Sequence, residues 1–263
     1  METKEMCRNV KIAIGVVLLF VGSLSAGSWV GPAAGDGLWD TTSNWSSGVP
    51  GPGEDIYIEA SWNQGKQPLI QSGIYGLGGT LRMGSTNDTI SSLTINGGSL
   101  TLSSHFILGQ GANSVVAISM NGGSLTANSL WSGNMQGWGM AAQGTLYMTA
   151  GVVNLIGEGL YVSRSSGASG LGVQLDGGIL NAASVFFGAG GMDITAGKLV
   201  LPSAYEARIK DYIDKSWLTG YGSKDNIVIT TLDNTIEVTA IPEPITLSLF
   251  GIGAFALIHR KRA

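Results

Sequence analysis

Two stretches, "LRMGSTNDTISSLTINGGSLTL" (81–102) and "FILGQGANSVVAISMNGGSLTA" (106–127), align at an offset of 25 residues without a gap. The same frame returns in "LYMTAGVVNL" (146–155), "VQLDGGILNA" (173–182) and "MDITAGKLVL" (192–201). Each copy carries an apolar residue, a polar turn residue, two small residues and then an apolar, polar, apolar alternation. The turn residues Asn96, Asn121, Thr149, Asp176 and Thr195 are 25, 28, 27 and 19 apart. Between them fall second apolar clusters, Phe106-Ile107-Leu108, Leu130-Trp131, Leu160-Tyr161-Val162 and Val185-Phe186-Phe187. A repeat this short cannot bury its own apolar face, so it must stack on its neighbours. The pattern predicts an all-β chain built as a right-handed parallel β-solenoid over residues 74–201, with two or three short strands per coil. Most of the connecting glycines then serve corners at positive φ. A β-sandwich, with strands every 8 to 12 residues, is the alternative; it explains the turns but not the nearly constant period.

The flanking segments read as ends for this stack. Residues 27–73 form a Trp-rich cap, with Trp29, Trp39, Trp45 and Trp62 among Gly, Pro and Asp, closing on an alternating strand at Asp55 to Glu59. Tryptophans in such a place plug the open end of a β-structure. The sharper reading makes Trp39 and Trp45 glycan contacts, since aromatic rings present an apolar face with a polar edge. In residues 202–240, Tyr205, Ile209, Tyr212, Ile213 and Trp217 make one helical stripe, and Gly220 ends it. Two strand-like segments follow, at 226–231 and 234–238. This region is expected to cover strand edges that an uncapped coil would expose.

Both termini look like processing segments. Lys4, Arg8 and Lys11 flank the start of an apolar run from Ile12 to Val21, followed by small residues through Gly27. That is the plan of a secretory signal peptide over residues 1–26, which makes the Sec export machinery a partner. Cys7, the only cysteine, lies before this run, so the mature chain carries no thiol for a disulfide or a thiolate metal site. Only 12% of residues are charged and 41 are glycine, as suits a turn-rich exported β-protein. Six of the 14 Lys and Arg and three of the 18 Asp and Glu lie in the terminal segments, so residues 27–240 hold eight cations against fifteen anions, a net charge of −7. No positive face of the kind nucleic acid requires is present.

Catalytic chemistry is poorly supplied. Between residues 74 and 201 the carboxylates are Asp88, Glu158, Asp176 and Asp193, and the basic groups are Arg82, Arg164, Lys198 and His105. Polysaccharide hydrolysis needs two carboxylates about 5 to 9 Å apart across one sugar, and no pair stands out. "GAGGMDITA" (188–196) and "GDGLWD" (35–40) each offer oxygen ligands once, where calcium nonapeptide sites need tandem copies. A His-paired serine nucleophile at His105 would require the fold to bring distant partners together. No metal site, cofactor or catalytic residue is assigned.

The C-terminus is the most specific segment. Fourteen residues from Ile245 to Ile258 carry no charge. As a helix they reach about 21 Å, short of the roughly 30 Å hydrocarbon core. His259, Arg260, Lys261 and Arg262 follow, and such charges stay on the cytoplasmic side. Pro242-Glu243-Pro244, a short apolar helix and a terminal basic cluster together resemble the PEP-CTERM sorting signal, which covers residues 241–263 here. The resemblance implies processing by exosortase, an integral-membrane cysteine protease. Pro242, Glu243 and Pro244 would be its recognition element, and Arg260, Lys261 and Arg262 the stop-transfer charges. The body also resembles those of such proteins from planctomycete-like bacteria, in its Trp29, Gly35-Asp36-Gly37 and Asn44-Trp45 opening, its Gly-Gly strand repeats and its Tyr212-Ile213 helix. These features imply an exported, non-enzymatic protein, transiently membrane-anchored and then at the cell surface or in the extracellular matrix, structural or adhesive within exopolysaccharide. The alternative is a carbohydrate-binding or carbohydrate-degrading module.

Overall fold

The structure, a computed structural model, describes residues 26–31, 34–59, 66–133, 142–162, 171–188 and 190–242. In chain order the strands are β1 (Gly27–Ser28), β2 (Ile56–Ile58), β3 (Leu69–Gln71), β4 (Tyr75–Gly78), β5 (Leu81–Met83), β6 (Ile90–Leu102), β7 (His105–Leu108), β8 (Val115–Ser132), β9 (Gln143–Val162), β10 (Leu171–Leu175), β11 (Ile179–Ala182), β12 (Val185–Phe187), β13 (Gly191–Ile194), β14 (Lys198–Pro202), β15 (Leu218–Gly220), β16 (Ile227–Leu232) and β17 (Thr235–Ala240), with one α-helix, α1 (Glu206–Asp214), before β15.

The strands stack in a solenoid of about 7 turns. Each complete turn contributes to three faces. The first face pairs β3, the start of β6, the starts of β8 and β9, β10, β13 and β15. The second pairs β4, the end of β6, the middles of β8 and β9, β11 and β14. The third pairs β1, β2, β5, β7, the ends of β8 and β9, and β12. All these pairings are parallel, which separates the fold from an antiparallel sandwich. The repeat spacings reappear as register: Leu81 lies against Phe106 at 25, Ser124 against Val152 at 28, Ile179 against Val152 at 27, and Ile179 against Lys198 at 19.

Alternation decides what each strand buries. In β6, Leu93, Ile95, Leu100 and Leu102 point inward while Thr94 and Thr101 point out. The inward residues meet their equivalents one coil away, as in the row Leu93, Ile118, Leu146, Val173, Met192 and Leu218, every member fully buried. Each such aliphatic side chain contributes about 1.5–3 kcal/mol by leaving water. The turn residues stack as well. Asn121 Nδ2 donates to Asn96 Oδ1 at 2.9 Å, Thr149 Oγ1 to Asn121 Oδ1 at 3.0 Å, and Thr195 Oγ1 to Asp176 Oδ1 at 2.8 Å.

At the N-terminal end three tryptophans form an edge-on cluster. Trp45 lies 4.9 Å from Trp29 and 4.8 Å from Trp39, and its Nε1 donates to the Trp39 carbonyl at 2.6 Å. Trp62 lies outside the described residues. At the other end the helix is shorter than its apolar stripe predicts. It stops at Asp214, and Leu218–Gly220 becomes β15, which pairs with β13 and extends the first face by one strand. The two predicted strands form the hairpin β16–β17, and β17 runs antiparallel along β14. Among the described residues no helix is long and apolar enough to cross a membrane. The expected signal peptide and the 245–258 segment lie outside those residues.

Candidate functional site: an outward aromatic row

The third face is built from three-residue clusters whose first and last members point inward, so the middle member must point out. Register then stacks the middle members into one row: Tyr57, Arg82, Ile107, Trp131, Tyr161 and Phe186. Trp131 and Tyr161 are 6.0 Å apart at 71°, and Tyr161 and Phe186 are 6.3 Å apart at 31°. All three rings are half-buried. The Trp131 indole N–H has no hydrogen-bond partner among the described residues.

Polar groups border the row. The His105 ring lies 4.9 Å from Trp131, and its Nδ1 is 2.8 Å from Ser129 Oγ and 3.9 Å from Glu158 Oε2. The fold does gather a histidine, a serine and a carboxylate, which sequence spacing alone could not show. Yet both partners approach the same ring nitrogen. A nucleophile–base–orienter relay needs them on opposite nitrogens, so this cluster is a hydrogen-bonding group rather than a triad. Toward the N-terminal end Arg82 sits over the Tyr57 ring at 5.6 Å and pairs with Asp55 at 2.8 Å. Burial pushes the Asp55 carboxyl up. The hydrogen bond from Arg82, the Thr80 backbone N–H and the Arg82 charge together outweigh it and hold the group below its ordinary 3.8.

The residues proposed from sequence as glycan contacts are elsewhere. Trp39 is 0% exposed and Trp45 4%, so neither offers a ring face to a sugar. The reading of a surface platform at Trp39 and Trp45 is therefore corrected. Their rings are consumed by packing on each other, and Gly76 lacks a side chain where a Cβ would sit 3.0 Å from the Trp39 ring. Outward, half-buried rings do occur on the third face, and the signal for them was present in the apolar clusters. Choosing the outward residue of each cluster required the coil-to-coil register.

Three other carboxylates hold turns and loops together. Asp36 accepts from the Thr41 hydroxyl at 2.7 Å, the Leu38 N–H at 2.9 Å and the Asn44 amide at 2.8 Å, and these donors hold it below its ordinary value. Asp193 is buried and accepts from Thr219 Oγ1 at 2.6 Å and the Gly222 N–H at 2.9 Å. Asp176 accepts from Gln174 and Thr195. Among the described residues no group of three or more His, Cys, Asp or Glu is placed to hold a metal ion. Of the sorting tripeptide only Pro242 is described, exposed and two residues past the end of β17, while Glu243, Pro244, Arg260, Lys261 and Arg262 lie outside the described residues. No known protein family, curated protein or solved structure matches the chain.

Proposed function

We propose that this chain is an exported, non-enzymatic structural or adhesive protein of the cell surface or extracellular matrix, sorted by exosortase through its C-terminal signal. Residues 1–26 serve as the leader for Sec export. Residues 27–240 form the mature body, with the right-handed coil sense that twisted strands favour in parallel crossovers. Residues 241–263 hold the body transiently at the membrane. The observation that carries this reading is the extent of the ladder, which runs from Gly27 in β1 to Ala240 in β17. Cleavage at either expected site would remove no strand from the stack. Replacing Glu243 by Ala should change where the protein accumulates and the mass of its C-terminus. Identical location and mature mass for both forms would sink the sorting reading.

A second reading, a carbohydrate-binding body, is favoured by the aromatic row. Ring faces on successive coils suit the apolar C–H faces of sugars, and His105, Ser129 and Glu158 could meet hydroxyls. Trp131→Ala and Tyr161→Ala should each weaken retention on exopolysaccharide in affinity electrophoresis, while Tyr147→Ala on the first face should not. Equal retention of all three would remove the row from any glycan role.

A further inference from the structure

A parallel solenoid has two ends, and each face must finish with a strand whose outer edge lacks a neighbour. On the third face both ends are covered. At β1, Ser46 N donates to Ser28 O at 2.9 Å, and at β12 Arg208 Nη1 of α1 donates to the Val185 carbonyl at 3.5 Å. On the first face Leu38 bridges to Leu69 of β3, and the chain after β15 folds back to bridge Gly220 with Ser223. The second face differs. Among the described residues β4 pairs only with β6, and β16 pairs only with β17.

The open groups can be named. Ser99 N donates to Ile74 O and Ser103 N to Gly78 O, so Ile74, Gly76 and Gly78 face β6 and the backbones of Tyr75 and Leu77 face outward. Ile241 N donates to Asn226 O, and the antiparallel alternation from that bond turns the backbones of Ile229 and Thr231 away from β17. Neither edge, "YGLG" or "IVITTL", carries a charge or a proline, the usual devices against pairing. Tyr75 is 76% exposed, and Leu77 and Leu232 are 40% and 47% exposed. Strand direction completes the argument. β17 reverses against β14 and β16 reverses again, so β16 runs in the same sense as β4.

We propose that copies of this chain associate head to tail, the β16 edge of one pairing in parallel with the β4 edge of the next. The second face then continues from molecule to molecule with its strand sense unchanged. A heterologous contact of this kind does not close, so it builds filaments. The association is independent of how the chain is exported.

Proline at an outward-facing N–H blocks an edge without removing a backbone bond inside the molecule, and at Thr231 it also removes the hydroxyl's hydrogen bond to Glu206 Oε2 at 3.3 Å. Full-length Leu77→Pro and Thr231→Pro, in detergent, are compared with wild type by sedimentation velocity and electron microscopy. Wild type should form concentration-dependent polymers, and each variant alone should self-associate at least tenfold more weakly. Mixed one to one, the variants should give dimers and nothing longer, because each retains the edge the other has lost. Circular dichroism and thermal midpoint report folding, and Leu77→Lys with Thr231→Lys provides a second blocking pair if a proline disturbs its strand. A monomeric wild type, polymers that survive both blocked edges, or a mixture of folded variants that does not dimerise would each overturn the proposal.

Discussion

At Gly123 the backbone takes φ +74°, and a Cβ added there would sit 2.0 Å from the Gly98 carbonyl oxygen of the preceding coil. At Gly73 φ is +87°, but nothing lies within 4 Å. Both positions penalise a side chain through the left-handed backbone, by about 1–2 kcal/mol. Only Gly123 adds the overpacking of a closed site, another 1–3 kcal/mol or so. Gly123→Ala should therefore destabilise by about 3 kcal/mol and Gly73→Ala by about 1 kcal/mol, read from urea unfolding. Equal losses would show that the turns of adjacent coils are not in contact there. Asn96, Asn121, Thr149, Asp176 and Thr195 were legible as turn residues because a turn is a local event. That Gly98 is needed for close approach, a Cβ there lying 2.4 Å from Gln71 O, was not, since the constraint comes from another coil. Trp39 and Trp45 plug the N-terminal end, as their place in a loop before the repeats suggests, and only their reading as glycan contacts fails, because neighbouring rings cover them.

Among elements, α1 shows where periodicity stops being a guide. The stripe from Tyr205 to Trp217 is real, and the Tyr212 and Trp217 rings are 5.9 Å apart, yet Trp217 lies past the helix, in the turn before β15. Ser216 takes φ +57°, its N–H reaches Ile213 O at 2.9 Å, and the Trp217 N–H reaches Tyr212 O at 2.9 Å. This is a Schellman ending whose left-handed position holds Ser instead of Gly. It releases Leu218 to be fully buried in β15 beside Met192, a gain invisible to any local pattern. Ser216→Gly should relieve the left-handed strain and stabilise the fold by about 1 kcal/mol, seen as a higher urea midpoint at unchanged slope. A lower midpoint would mean that the Ser216 side chain contributes more than its backbone costs. The strands were easier to read than the helix end, because one register offset of 25 placed Leu81 on Phe106, Ile95 on Met120 and Leu100 on Leu125 together. The same register, once known, turns three-residue clusters into the outward row of Trp131, Tyr161 and Phe186.

Over the whole molecule, a stack in which each coil touches only its neighbours gains stability locally, so its ends and its middle can respond differently to one condition. Acid is such a condition. Among the described residues the carboxyls held below their ordinary values are Asp36 and Asp55 near the first coil and Glu206 in α1. Glu206 is held down first by the hydrogen bond from Lys210 and then by its charge. A carboxyl depressed in the folded state contributes stability that is complete above its unfolded value, here 3.8 for Asp and 4.5 for Glu, and lost as pH falls through the folded value. The central coils β8 and β9 are joined by backbone ladders, apolar rows and neutral Asn and Thr side chains, none of which titrates in that window. Lowering the pH from 7 to about 3 should therefore weaken β1, β2 and α1 while leaving β8 and β9 protected. Amide hydrogen exchange, expressed as protection factors at each pH, measures this directly. Asp55→Asn should lower protection in β2 and β5 at pH 7 and make a smaller difference at pH 3, because below the ordinary 3.8 the stability that the depressed carboxyl contributes is being lost. A loss of protection that is uniform from β1 to α1 would mean that the coils unfold as a single unit, whatever their charges.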